Sequence, residues 1–256
     1  APSLQNRLGL SQKTLAFDMN MACSGYLYGL SVAFALASQD GINNVLLLVG
    51  ETMSKTVSKQ DKNTTPLFGD AGTASLITKG KNFGFSFFNL NSDGSGCDIL
   101  KVPYGGYRNP SCKEGFEEIV DDNGNVLTGE QLHMDGMNVF NFGLRVVPTS
   151  IKKVVEYAGK EMSQVDVILF HQANKFMTDF FAKKLKFSLN KVPYSLDRYG
   201  NTSAASIPLN VVSEMYNTSN FTVRDNVVMA GFGAGLSWGT CLLSLASTII
   251  SPLIEY

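Results

Sequence analysis

Two stretches of the 256-residue chain run through the same order of elements, and this repetition restricts the fold more than any other feature. "MNMACSGYLYG" (19–29) leads through small residues into a helical pattern, followed by the apolar run "NNVLLLVGE" (43–51). "RYGNTSAASIPL" and "DNVVMAGFG" repeat that order nearer the C-terminus. We therefore predict two related α/β halves, residues 1–130 and residues 131–256. The second half has strand–helix pairs before its "RYGNTSAASIPL" motif, and the first half has none before "MNMACSGYLYG". We therefore expect the full protein to have further residues on the N-terminal side.

Apolar periodicity predicts the individual elements. Short apolar runs favour buried strands at 14–19 and 43–51, and strands at 73–78, 83–90, 165–170, 226–231 and 237–245. Apolar residues at helical spacing favour helices from Ser24 to near Gly41, from Gly136 onward, over 174–185, and after "NTSAAS". Pro148 is expected to kink or split the helix that starts at Gly136. The stretch 91–131 is rich in Gly, Ser, Asp and Asn and is predicted to be loop.

Composition and charge argue against several classes of protein. A formal net charge of −1 argues against a nucleic-acid partner. No apolar window reaches the roughly 18 to 20 residues of a membrane helix, so no membrane partner is expected. The four cysteines and two histidines are too scattered for a disulfide framework or a zinc site. We expect a cytoplasmic, globular protein without a metal.

Cys23 is the first candidate for chemistry. It lies just ahead of a predicted helix, whose N-terminus favours thiolate over thiol. The small neighbours Ala22, Ser24 and Gly25 permit a tight turn and the approach of a substrate carbonyl. A buried cysteine that acts only as a small hydrophobic residue is the alternative reading.

His171 and Asn201 are the second and third candidates. His171 directly follows a predicted strand, where open α/β sheets place ligand-binding groups, although a histidine satisfied by its own loop is the alternative. Asn201, in "RYGNTSAAS", is alternatively a simple helix N-cap. Considered together, a thiol, an imidazole and a carboxamide at three such junctions form a Cys–His–Asn set. The turn "GFGAG" (231–235) adds backbone N–H groups for a developing oxyanion.

These motifs resemble one enzyme family. "ACSGYLYGL", "LFGDAG", "HQAN", "RYGNTSAASIPL" and "GFGAGLSWG" are similar to segments of the β-ketoacyl-acyl-carrier-protein synthases III, over about residues 3–245. The resemblance implies an α/β thiolase-like fold in which two related halves form a five-layer αβαβα sandwich. It implies a decarboxylative Claisen condensation of an acyl-CoA starter with malonyl-carrier protein, which initiates fatty-acid synthesis.

The resemblance also assigns roles to residues. Cys23 is then the nucleophile that carries the acyl group, and His171 and Asn201 donate hydrogen bonds to the malonyl thioester oxygen as carbon dioxide leaves. The oxyanion lies against the N–H groups of Cys23 and Ala234, where the family usually has Gly. Phe232 and Gly233 complete the pocket, with Phe232 beside the cysteine.

The implied partners are an acyl-carrier protein, a coenzyme A thioester and a second copy of the chain, with no cofactor. The homodimer is expected to pair its sheets around "LLLVGE" and "LFGDAG". Lys175 and Lys183 are candidates for a basic docking face, although a solvated helix face is the alternative, and Phe176 replaces a basic residue often found in the family. Lys62 lies where the family places a coenzyme A-binding arginine.

Two other functions stay open at the level of sequence. One keeps the fold and the Cys–His–Asn set but assigns a dedicated pathway, such as a secondary metabolite or a surface polysaccharide. Ala234, Phe176 and the long 91–131 insertion favour that reading slightly. The other is a non-catalytic carrier-protein-binding subunit on the same scaffold, in which Cys23 takes up no acyl group.

Overall fold

The computed structural model describes residues 1–80 and 84–255. Its α-helices are α1 (Pro2–Arg7), α2 (Gly25–Ala37), α3 (Gly136–Tyr157), α4 (Lys175–Lys184), α5 (Leu196–Tyr199) and α6 (Ser206–Met215). Its strands are β1 (Asn44–Thr52), β2 (Asp70–Thr78), β3 (Phe87–Ser92), β4 (Leu100–Lys101), β5 (Ile119–Val120), β6 (Val126–Leu127), β7 (His133–Met134), β8 (Val167–Phe170), β9 (Val227–Gly233) and β10 (Ser237–Leu243). Among the described residues, no helix is both long and apolar enough to cross a lipid bilayer.

The main sheet has the strand order β3-β10-β9-β8. Strand β8 is parallel to β9, whereas β10 is antiparallel to both β9 and β3. Every residue of β8 and β9 is buried. Apolar residues of α3 and α4 pack against one face of this sheet, and those of α2 and α6 pack against the other. A strand that is covered on both faces must be apolar throughout, as "VILF" and "VVMAGFG" are.

Strands β1 and β2 form a separate antiparallel pair, in register from Asn44 opposite Thr78 to Thr52 opposite Asp70. Along both strands, half-buried residues alternate with exposed ones. The half-buried side includes Leu47, which packs into the cluster formed by α2 and α6. The described layers are therefore sheet, helix, sheet and helix, with α2 and α6 between the sheets.

Four local predictions need correction. Residues 14–19 form no strand; Leu15 is 66% exposed, and the described residues offer this segment no partner strand. The run 43–51 is a strand, but it is half-exposed because helices cover only one of its faces. Helix α3 continues through Pro148, since its buried apolar face packs on the sheet and outweighs the loss of one backbone hydrogen bond.

The fourth correction concerns "GFGAG". Residues 231–233 belong to strand β9, and only Ala234 and the residues after it form the turn into β10. The other predicted helices and strands agree with the structure to within a few residues, whereas α1 and α5 were not predicted. Phe83, at the start of the predicted strand 83–90, lies outside the described residues, and that strand is described from Phe87. Residues 91–131, which were predicted to be loop, contain turns and short strands.

Candidate active site

Cys23 sits in the loop directly before α2 and is 7% exposed. Strand β9 passes so close that a Cβ atom on Gly233 would lie 2.7 Å from Cys23 Cβ and 3.1 Å from its Sγ. A Cβ on Gly231 would lie 3.2 Å from the Cys23 carbonyl oxygen. Glycine at these two positions therefore allows the backbone of β9 to approach the sulfur.

Two serine hydroxyls connect the Cys23 loop to the turn after β9. Ser24 Oγ lies 2.7 Å from Ser237 Oγ, and both side chains are buried. Ser237 Oγ donates in turn to the carbonyl oxygen of Ala234 at 2.8 Å. The Ser24 hydroxyl must then donate to Ser237, and this chain holds the Ala234–Gly235 peptide, in the turn after β9, relative to the Cys23 loop.

Burial raises the pKa of the Cys23 thiol to about 11. A hydrogen bond from Ser203 Oγ, 3.6 Å from the sulfur, lowers the pKa, whereas the Glu51 carboxylate raises it. The sequence led us to expect that the helix N-terminus would favour thiolate. In the structure, desolvation of the thiolate is the largest influence on this pKa and favours the thiol form of Cys23.

His171 directly follows the last residue of β8 and is 2% exposed. Its backbone N–H donates to the carbonyl of Ala230 at 2.7 Å, which extends the pairing of β8 with β9 by one residue. Its ring meets Phe232 edge to face, with 5.6 Å between the ring centroids. Burial lowers the pKa of His171 to about 4, partly opposed by a hydrogen bond with the Ser203 backbone. The imidazole is therefore neutral at physiological pH.

Asn201 is held by the segment "LFG" (67–69). Its N–H donates to the carbonyl of Leu67 at 2.8 Å, and its own carbonyl accepts from Gly69 N–H at 3.1 Å. The side-chain Oδ1 accepts from Ser203 N–H at 2.9 Å, so the side chain does cap a turn, the short 3-10 helix Ser203–Ala205. This bond orients the amide and leaves the Nδ2 hydrogens without an acceptor among residues 1–80 and 84–255. The capping role and the donor role are therefore compatible.

A single cavity of about 1490 Å³ brings these groups together: its lining includes Cys23, His171, Asn201, Phe232, Gly233 and Ala234. The ring of Phe232 contacts His171, Phe142 and Phe181. The candidate substrate- and carrier-binding lysines do not line this cavity and are exposed: Lys62, Lys175 and Lys183. Within the described residues, no cluster of three or more His, Cys, Asp and Glu side chains could hold a metal ion.

The sequence missed three polar residues that surround the candidate set. Ser203 and Ser206 contact Cys23 and His171, respectively, and Glu51 accepts a hydrogen bond from Ala204 N–H at 3.3 Å. Ser203 has a positive φ of 49°, which is uncommon for a residue with a side chain. The signal in the sequence was the run of small polar residues in "GNTSAAS", which we interpreted only as the start of a helix.

A buried cysteine, histidine and asparagine in one cavity, between stacked α/β layers, are typical of condensing enzymes with the thiolase fold. Comparisons with known proteins agree. Residues 17–94 match the sequence profile of 3-oxoacyl-[acyl-carrier-protein (ACP)] synthase III, and residues 155–245 match the profile of its C-terminal part. The chain belongs to this family of acyltransferases.

Individual relatives support the same assignment. A putative 3-oxoacyl-[acyl-carrier-protein] synthase 3 from Campylobacter jejuni is 37% identical over 254 residues, which are 99% of this chain and 70% of the relative. A crystal structure of a 3-oxoacyl-(acyl-carrier-protein) synthase III superposes with a TM-score of 0.90 at 35% identity, over 95% of this chain and 73% of that one. A 3-oxoacyl-(acyl-carrier protein) synthase from Burkholderia xenovorans LB400 gives a TM-score of 0.88 at 36% identity, over 100% and 71% of the two chains.

Proposed function

We propose that this enzyme joins an acyl group from an acyl-CoA to malonyl-carrier protein, as the first condensation of fatty-acid synthesis. The observation that carries the proposal is that Cys23, His171 and Asn201, which are far apart in the sequence, line one cavity. Two half-reactions follow, the acylation of Cys23 and the decarboxylative condensation.

In the first half-reaction, Cys23 Sγ attacks the thioester carbonyl of the acyl-CoA. The carbon–sulfur bond to coenzyme A breaks, and coenzyme A leaves as a thiol with the proton that Cys23 loses. The N–H groups of Cys23 and Ala234 stabilise the tetrahedral oxyanion. The close approach of Gly233 to Cys23 and the serine link from Ser24 to Ala234 support this arrangement.

In the second half-reaction, malonyl-carrier protein loses carbon dioxide, and the electron pair of the broken bond forms a thioester enolate. His171 Nε2–H and the Asn201 amide donate to the enolate oxygen, and donors fixed there stabilise it more than the starting thioester. The carbanion carbon then attacks the acyl group on Cys23, a carbon–carbon bond forms, and the Cys23 sulfur leaves as a thiolate that takes up a proton from water. The neutral state of His171 supports its role, and the Asn201 amide, which has no acceptor within residues 1–80 and 84–255, supports the other.

For the carrier protein, we propose docking on the exposed side of α4. Lys183 lies in the last turn of this helix, where a cation is also favourable for the helix dipole. Lys175 at its start forms an ion pair with Asp179 at 2.7 Å, so its charge is partly neutralised. Phe176 is 66% exposed and offers an apolar contact beside these lysines. Lys62, which is exposed on the 53–69 segment, remains our candidate for coenzyme A.

We also propose a cytoplasmic homodimer. All four cysteines are free, which is the usual state in a reducing compartment. The outer side of the β1–β2 pair exposes Leu46, Leu48 and Leu76 at 41%, 39% and 66%, and an apolar patch of this kind is typical of an interaction surface.

Incubation with acyl-CoA thioesters, followed by peptide mass spectrometry, tests the proposal. We expect the acyl mass on the peptide that contains Cys23, and a 3-ketoacyl product once malonyl-carrier protein is added. Cys23→Ala should remove the label, whereas Cys97→Ala, at an exposed cysteine, should not. Absence of both the label and the product with acyl-CoAs of every length would contradict the proposed reaction.

A further inference from the structure

Ser206 contacts the imidazole of His171 from the start of helix α6. Its hydroxyl oxygen lies 2.7 Å from His171 Nδ1, and its side chain is 1% exposed. The same oxygen accepts a hydrogen bond from the backbone N–H of Gln172 at 3.3 Å. Ser206 therefore holds two consecutive residues of the "HQAN" motif.

The direction of the Ser206–His171 hydrogen bond follows from the donors and acceptors present. A backbone N–H is always a donor, so Ser206 Oγ is the acceptor towards Gln172. The oxygen has a second lone pair, but the buried hydroxyl hydrogen also needs an acceptor, and within residues 1–80 and 84–255 the only one recorded is His171 Nδ1. A hydroxyl that donates to Nδ1 requires that nitrogen to carry no hydrogen.

Gln172 makes this arrangement rigid. Its side-chain Nε2 donates to the carbonyl of Phe170 at 2.9 Å, and its Oε1 accepts from Ser195 N–H at 3.2 Å. These bonds hold the backbone N–H that points at Ser206, and Gln172 itself is 1% exposed. The orientation of the Ser206 hydroxyl is thus set by a buried network.

We infer that Ser206 is a positioning residue that fixes His171 as the tautomer with its hydrogen on Nε2. The inference rests on the proposed function, in which Nε2–H donates to the malonyl thioester oxygen. The opposite tautomer would present a lone pair to that oxygen and would repel the forming enolate. Ser206 is buried and does not line the cavity, so its effect on the reaction passes through His171.

NMR spectroscopy of protein labelled with ¹⁵N-histidine tests the inference directly. The chain has two histidines, so a His133→Gln variant identifies the His171 signals. We expect hydrogen on Nε2 alone in the unsubstituted protein, and a population with hydrogen on Nδ1 in Ser206→Ala. Ser206→Thr keeps a hydroxyl and should restore the Nε2–H form. Ser213→Ala, in the same helix, is the matched control, because the Ser213 hydroxyl has no partner in the described part of the chain.

The kinetic readout separates tautomer control from a general structural role. Ser206→Ala should slow malonyl decarboxylation about tenfold or more, whereas the rate of Cys23 acylation should not change. Nε2–H as the sole form in Ser206→Ala would overturn the inference, as would equal slowing of both half-reactions. The NMR result does not require any malonyl substrate, so it stands or fails separately from the proposed function.

Discussion

The two sides of the cavity bury their reactive groups almost equally, with opposite consequences for the chemistry. Cys23 is 7% exposed and His171 is 2% exposed. On the cysteine side, burial raises the pKa to about 11 and disfavours the thiolate that must attack. On the histidine side, burial lowers the pKa to about 4 and preserves the neutral donor that the proposed decarboxylation requires. In the proposed mechanism, desolvation therefore works against one half-reaction and for the other.

The largest expected effect comes from removing the reactive side chain on one side of the cavity at a time. His171→Ala should lower the rate of malonyl decarboxylation by about 10³-fold, the scale of losing a fixed donor to a developing oxyanion. The same variant should still take up an acyl group on Cys23, because the cysteine side does not depend on the imidazole. Rapid-quench measurement of acyl-enzyme and of released carbon dioxide separates the two rates.

Cys23→Ala is the reciprocal control and should remove acylation while decarboxylation continues. Loss of acylation in His171→Ala would break the comparison, because it would show that the imidazole also serves as the base for the thiol.

The next largest effect is expected at Gly233. In Gly233→Ala, the new methyl group would lie 2.7 Å from Cys23 Cβ, closer than carbon atoms pack, so the Cys23 loop or β9 must move. Since the oxyanion donors require exact placement, we expect acylation to fall about 10²-fold. Decarboxylation should change much less, since it depends on the other side of the cavity.

Gly94→Ala is the matched control for Gly233→Ala. Gly94 follows strand β3 outside the cavity lining, and a Cβ there has no atom within 4 Å. The rate of Cys23 acylation in this control variant should equal that of the unsubstituted protein. Unchanged acylation in Gly233→Ala would show that the backbone of β9 is not part of the oxyanion site.

The strand-to-helix and loop-to-helix junctions at Cys23, His171 and Asn201 could be predicted from the sequence, because each junction has a local pattern of its own. A cluster of small residues, a strand end and a turn each leave a mark within about ten residues, and so Cys23, His171 and Asn201 could be proposed together. The same reasoning failed for 14–19 and for the exposed face of β1. An apolar run shows that a strand is possible, whereas its burial depends on which elements cover its faces.

The pKa values of Cys23 and His171, and the serine contacts with these two residues, could not be predicted from local patterns. Ser203 is 180 residues from Cys23 along the chain, and Ser206 is 35 from His171. A serine is compatible with many environments, and only the packing of α6 against β8 brings these two hydroxyls to the reactive groups. For the same reason, the helix-terminus argument for a Cys23 thiolate omitted the desolvation that dominates in the folded protein.

A pH series compares the two sides in one experiment. Below a pKa of about 11, the thiolate fraction of Cys23 rises tenfold for each pH unit, so its alkylation by iodoacetamide should rise with pH at least from 6 to 9. Malonyl decarboxylation should stay level over that range and decline only as the pH approaches 4, where His171 gains a proton. Alkylation that levels off near neutral pH would mean that a base lowers the thiol pKa in solution.

The smallest effect is expected at the serine link between Cys23 and the oxyanion turn. Ser237→Ala removes the bond to the Ala234 carbonyl and leaves the Ser24 hydroxyl without its acceptor. Since one such bond contributes about 1 kcal/mol, we expect acylation to slow about fivefold, with decarboxylation unchanged. Ser150→Ala is the control, because Ser150 Oγ lies 3.0 Å from Thr240 Oγ1 and forms a comparable buried hydroxyl pair with the same strand β10. If both variants lose similar free energy of unfolding but only Ser237→Ala slows acylation, the link positions the turn that contains Ala234. Equal rates in the two variants would show that Ser24 and Ser237 contribute to stability alone.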